Sequence, residues 1–133
     1  MVDYKKQGKR NRRKGMLFEN LVKKDLESNE WIVSKWANTV DLEKNKLIPA
    51  KRKFNPFNKV MSIGTGFPDF IVFKPHHMKP LYVIIGVEVK TNGKLDKIER
   101  EKCEWLLKNN IFSQILIAFK NGKEILYWEY GKT

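Results

Sequence analysis

Residues 81–90 read Leu81-Tyr82-Val83-Ile84-Ile85-Gly86-Val87-Glu88-Val89-Lys90, and their alternation decides the architecture. Side chains of an extended strand point alternately to opposite faces. One face of this segment is then wholly aliphatic: Leu81, Val83, Ile85, Val87 and Val89. The other carries Tyr82, Ile84, Gly86, Glu88 and Lys90, so an acid and a base stand two residues apart on one face at the strand's end. Gly86 on that face is expected to leave room for close approach of a ligand. Upstream, Pro68–Lys74 reads as a second strand, entered by a proline, which a first strand position tolerates. Asp69 stands at its start, and two neighbouring strands can bring Asp69 and Glu88 together.

Outward from these strands, Leu17, Phe18, Leu21, Val22 and Leu26 recur at helical spacing, which predicts a helix from about Arg13 to Ser28 with Asn29 as its stop. Trp31–Trp36 is β-branched and aromatic and reads as a strand. Residues 37–60 have no clean period and hold Pro49 and Pro56; a long loop or β excursion is expected there. Ile63–Gly66 reads as a turn, and residues 74–80 as a hairpin-like connection. Beyond Lys90, Thr91-Asn92-Gly93 is a turn and Asp96 is placed to cap a helix running to about Asn109. Gln114–Phe119 and Lys123–Tyr130 read as two last strands joined through Asn121-Gly122. The order is helix, three strands, helix, two strands: an α/β domain over residues 13–133, preceded by a flexible basic tail at 1–12.

With 133 residues, 41% of them hydrophobic, the chain is about one domain with one modest core. Its longest apolar run, Leu81–Val87, is far short of the ~20 residues that span a bilayer. No apolar signal core follows the basic N-terminus, so an intracellular, cytoplasmic protein is expected rather than a secreted or membrane one. Cys103 stands alone, which excludes an internal disulfide and a cysteine-based zinc site. The net charge is +12, and it is not evenly spread. Residues 1–14 carry Lys5, Lys6, Lys9, Arg10, Arg12, Arg13 and Lys14 against Asp3 alone. Residues 41–60 carry Lys44, Lys46, Lys51, Arg52, Lys53 and Lys59 against Asp41 and Glu43. Two basic blocks on a nearly balanced body suit contacts to phosphates, and so a nucleic-acid partner. Phe54 and Phe57 interleave with the second block, a pattern that fits either base stacking or a loop anchored by its own rings.

Asp69, Glu88 and Lys90 are the candidate chemistry. Two carboxylates a few ångströms apart repel, and a hard divalent cation with oxygen ligands, Mg²⁺ or Mn²⁺, removes the conflict. A lysine beside them adds a point charge for a water or a phosphoryl oxygen. Set against this, a Glu-x-Lys on a solvated strand face is common. His76 and His77 read as solvent-facing turn residues. The four tryptophans read as core or dimer contacts. Glu99 and Lys102 lie within the apolar arc of the second helix, as an ion pair at a contact or as support for the metal site.

The Pro68-Asp69 … Glu88-Val89-Lys90 order, inside helix–three strands–helix–strand, resembles the PD-(D/E)xK nuclease superfamily over about residues 13–120. Lys14-Gly15-Met16-Leu17-Phe18-Glu19 is similar to the Lys-Gly-x-x-x-Glu opening of archaeal Holliday-junction resolvases. Gly64-Thr65-Gly66-Phe67-Pro68-Asp69 and Glu88-Val89-Lys90-Thr91 resemble their Gly-Ser-Gly … Pro-Asp and Glu-Val-Lys-Ser/Thr segments. Residues 88–99 are also similar to the virus-type replication-repair nuclease domain, although Glu99 stands where that family has glutamine. The 24-residue segment 37–60 is longer than a minimal resolvase would carry.

The resemblance implies a restriction-endonuclease-like core, αβββαβ, with a central mixed sheet flanked by helices. It implies Mg²⁺-dependent hydrolysis of phosphodiester bonds in branched DNA by a homodimer, in recombination and repair. Asp69 and Glu88, helped by the Val89 carbonyl, would be metal ligands, and Glu19 would approach the metal from the first helix. Lys90 would orient water or stabilise phosphate charge. Lys9, Arg10, Arg12, Arg13, Lys14, Lys51, Arg52, Lys53 and Thr65 would contact the nucleic acid. Two other readings stay open: the same chemistry on flap, nicked or linear duplex DNA, and a basic binding module that does not cut.

Overall fold

A computed structural model of the protein describes residues 4–51, 53–55, 60–62 and 66–132. Phe18, Val22 and Leu26, four residues apart, are buried on helix α1 (Tyr4–Ser28). The helix reaches further back than its apolar spacing predicts. The stretch expected as a flexible tail is helical from Tyr4, because Lys, Arg and Gln are good helix formers and Gly8 costs only about 1 kcal/mol. Leu17 and Leu21, expected in the buried stripe, are exposed instead, since one narrow arc of the helix meets the sheet.

After α1 come β1 (Ile32–Lys35), β2 (Asn38–Asp41), β3 (Lys46–Pro49), β4 (Lys53–Asn55) and β5 (Val60–Ser62). Then follow β6 (Phe70–Pro75), β7 (Tyr82–Val89), α2 (Lys97–Lys108), β8 (Ile115–Asn121) and β9 (Glu124–Glu129). The main sheet has five strands in the order β1-β6-β7-β8-β9. Only β7 and β8 run parallel, with α2 as the crossover that a parallel pair requires. The chain is thus α/β, with a mixed sheet and helices. The segment read as a loop or β excursion forms two antiparallel hairpins, β2–β3 and β4–β5, each a separate two-stranded sheet.

Two cores lie on the two faces of the sheet. Under α1, Phe18, Val22 and Leu26 pack on Val72, Ile85, Val87 and Ala118. On the other side, Leu106, Cys103 and Phe112 pack with Ile115, Ile117 and Val40 of the β2–β3 hairpin. Neighbours on β8 separate cleanly, Ile117 to one core and Ala118 to the other, as a period of two demands. Val83, Ile85, Val87 and Val89 keep to the α1 side as the alternation predicts, while Leu81 precedes the strand and is exposed. The hairpin is tied to α2 by Lys102 Nζ donating to Thr39 Oγ1 (3.0 Å) and by Trp105 Nε1 donating to Asn45 Oδ1. No helix among the described residues is long and apolar enough to cross a membrane.

Candidate functional site

Antiparallel pairing sets Phe70 opposite Val87, so one step further Asp69 faces Glu88. Asp69 stands just before β6 rather than inside it, and its backbone is fixed from both sides. Its carbonyl accepts from the Trp36 N–H (3.0 Å), and its N–H donates to Glu88 Oε1 (3.1 Å). In return the Val89 N–H donates to Asp69 Oδ2 (2.8 Å). Each carboxyl therefore accepts a backbone hydrogen bond from the other's side of the strand pair.

Pro68 and Gly66 explain how the loop delivers Asp69. The register would set Pro68 opposite Val89, and proline has no N–H to give to the Val89 carbonyl. At Gly66 a Cβ would collide with the backbone of Trp36 and lie 2.8 Å from the Asn38 nitrogen, so only glycine fits the crossing. Gly86 has a different role from the one its position suggested. The space beside it is filled by the Pro68 ring, 2.8 Å from where a Cβ would be, and by Phe112. It serves packing under Asp69, not ligand approach.

Asp69 and Glu88 are almost wholly buried, at 9% and 5% exposure. Burial, then the Asp69 charge and hydrogen bond, push the Glu88 carboxyl up to about 10. Asp69 is also raised by burial, against the pull of its hydrogen bonds from Glu88 and Val89 and of the Lys90 and Lys35 charges. Without a cation, burial and mutual repulsion favour a proton shared by the pair. Lys90 lies 3.8 Å from Glu88 Oε2 and is in direct contact with Glu99 Oε2. Burial works against the Lys90 charge, but the Glu99 hydrogen bond and the surrounding carboxylates outweigh it and raise its pKa.

Glu99 is in turn fixed by a capping box. Its N–H donates to Asp96 Oδ1 (2.8 Å), and its Oε1 accepts from the Asp96 N–H (3.0 Å). The ion pair that the second helix suggested is thus with Lys90, which ties the start of α2 to the site.

Glu19 comes from the opposite face. It is half-buried on α1, and its pKa is raised by burial and by the charge of Asp69, with Lys35 opposing. It lines a cleft of about 380 Å³ with Met16, Asn20, Lys23, Lys35 and Phe70. Lys35 is the residue that sequence reasoning missed. It ends β1 opposite Phe70, and its charge reaches both Asp69 and Glu19. Its only signal was its place at the end of a predicted strand, and the strand register was not readable.

Among the described residues no group of three or more His, Cys, Asp or Glu stands close enough together to hold a metal ion. Lys9, Arg10, Arg12, Arg13 and Lys14 are exposed on α1, and Lys51 is exposed after β3. Arg52 and Thr65 lie outside the described residues, as do Phe57, Lys59 and the Lys53 side chain. His76 and His77 stack on each other, ring centroids 4.0 Å apart, in the β6–β7 connection, and His76 Nδ1 accepts from the Met78 N–H. Trp36 packs edge-on against Phe112, and the Trp128 indole donates to the Gly93 carbonyl, both structural roles. Comparison of the chain with protein-family models, with curated proteins and with solved structures gave no match.

Proposed function

We propose that the protein is a divalent-metal-dependent endonuclease with a restriction-endonuclease-like core, cutting branched DNA in the manner of Holliday-junction resolvases. The observation that carries this reading is the Asp69–Glu88 pair: two buried carboxyls brought together by neighbouring strands, Glu88 accepting from the Asp69 N–H and Asp69 from the Val89 N–H, with Lys90 3.8 Å from Glu88. A buried acid pair that must hold a proton to coexist is chemically suited to a hard cation, which would displace the proton. Asp69, Glu88 and the Val89 carbonyl, which Pro68 cannot bond, supply hard oxygen donors for Mg²⁺ or Mn²⁺. Glu19, whose pKa is raised in part by the Asp69 charge, would join through water, since Mg²⁺ keeps several waters. When bound, the cation would neutralise phosphate charge and lower the pKa of an attacking water. Lys90, held by Glu99, would keep its ammonium beside the reacting phosphate. Symmetric cutting of two strands needs two sites, which a two-fold homodimer supplies.

Purified protein incubated with four-way junctions, flaps and linear duplex, in Mg²⁺ or EDTA, tests the reading. Paired nicks across the junction are expected, lost in EDTA and reduced about 10³-fold in Asp69→Ala. Cutting of flaps or linear DNA alone would move the substrate. Binding without cutting in any metal would reduce the chain to a nucleic-acid-binding module.

A further inference from the structure

We infer that α1 is a rigid rail for a phosphodiester strand, leading along its basic face to Lys35 and from there to the acid pair. The inference rests on the nuclease reading and names the path that its substrate takes. Lys9, Arg12 and Arg13 line a cleft of about 390 Å³ together with Met16, Leu17 and Asn20. The cleft that Glu19 lines shares Met16 and Asn20 with it and continues to Lys23, Lys35 and Phe70, the residue after Asp69. Residues 9, 13, 16, 20 and 23 follow one another at three- to four-residue spacing, with Arg12 three beyond Lys9, so they form one face of the helix. From Lys9 to Lys23 the rail is roughly 21 Å long at ~1.5 Å per residue. That follows several phosphates at ~3.4 Å per step of one strand, which a free phosphate or a small anion has no use for.

Charge explains why the approach is from this side. Glu19, Asp69 and Glu88 repel a phosphate, so cations must line its way in. On the α2 side Lys90 is already occupied by Glu99 and Glu88. On the α1 side Lys35 is exposed and forms no ion pair among the described residues, while its charge reaches Asp69 and Glu19. Lys35 is therefore the first cation that a phosphate meets at the site.

Equilibrium binding in EDTA, with labelled single-stranded, duplex and four-way DNA and matching RNA at a series of salt concentrations, tests the rail without any cleavage. Each lost phosphate contact lowers the slope of log K against log salt by about 0.7–0.9. Arg12→Ala with Arg13→Ala should lower it by nearly two such steps and Lys35→Ala by one. Lys108→Ala, at the far end of α2, should leave it unchanged. Gly15→Pro keeps every charge but breaks the helix, and should weaken binding tenfold or more. Gly15→Ala, whose methyl meets nothing within 4 Å, should bind at least as well as the native chain. Native-like affinity and slope in Gly15→Pro, or an unchanged slope in Lys35→Ala, would overturn the rail. Binding with these effects but no cleavage in Mg²⁺ would overturn the nuclease reading and leave the rail standing. No binding to DNA or RNA would overturn both.

Discussion

The two sides of the acid pair are built differently. Toward α2 the structure is closed. Lys90 is held by Glu99, Glu99 by the capping box, and the β2–β3 hairpin by Lys102 and Trp105, while Gly66 crosses where no side chain fits. Toward α1 it is open: a cleft, an exposed Lys35, a half-buried Glu19, and free space around Gly15. A reacting group needs rigid support, and a substrate needs a way in. Here one strand end serves both needs because its two faces are packed by different elements.

Glycine substitution breaks this contrast most directly. Gly66→Ala forces the backbones of Trp36 and Asn38 apart and should cost about 1–3 kcal/mol, as overpacking does. Gly15→Ala should instead stabilise by about 0.4–1 kcal/mol. Chemical denaturation of the two variants beside the native chain checks the pair. Equal effects of the same sign would remove the distinction between closed and open sides. Glu99→Gln sharpens it further. The amide oxygen can still accept from the Asp96 N–H, so the cap survives, but the charge that holds Lys90 is gone. Loss of such a supporting group typically costs 10–100-fold, and a fall near tenfold in kcat is expected, with DNA binding in EDTA unchanged. If Lys90→Ala and the double variant lose activity equally, Glu99 acts through Lys90; additive losses would give it a separate role.

The closed side was more legible in the sequence than the open one. Period-two alternation in residues 81–90 and a proline before Asp69 were enough to set Glu88, Lys90 and Asp69 on neighbouring strands. Asp96 was readable as a cap because the capping chemistry is local. Lys35 was not readable, since its closeness to Asp69 depends on the β1–β6 register, which sets it opposite Phe70, 35 positions away. The helical state of residues 4–12 is not legible from periodicity, because an apolar stripe is the usual sign of a helix and this stretch carries good helix formers without one. The role of Gly86 is not readable from alternation, because the ring that fills the space beside it belongs to Pro68, whereas its partner in the strand register is Ile71.

The central claim is that the acid pair takes a divalent cation in place of a proton. Thermal melting across pH 5–9, in EDTA and in saturating Mg²⁺ or Mn²⁺, measures it without a substrate. The Glu88 carboxyl lies near 4.5 in its ordinary state and is raised to about 10 in the fold. Between those values the folded chain holds a proton that the unfolded chain has lost, so stability in EDTA should fall as pH rises. A bound cation should raise the melting temperature and flatten that slope, by about 2.7 kcal/mol at a hundredfold excess over Kd. Glu88→Gln should remove both the slope and the response to metal. A native chain whose melting ignores the cation at every pH, with the same profile as Glu88→Gln, would contradict the claim.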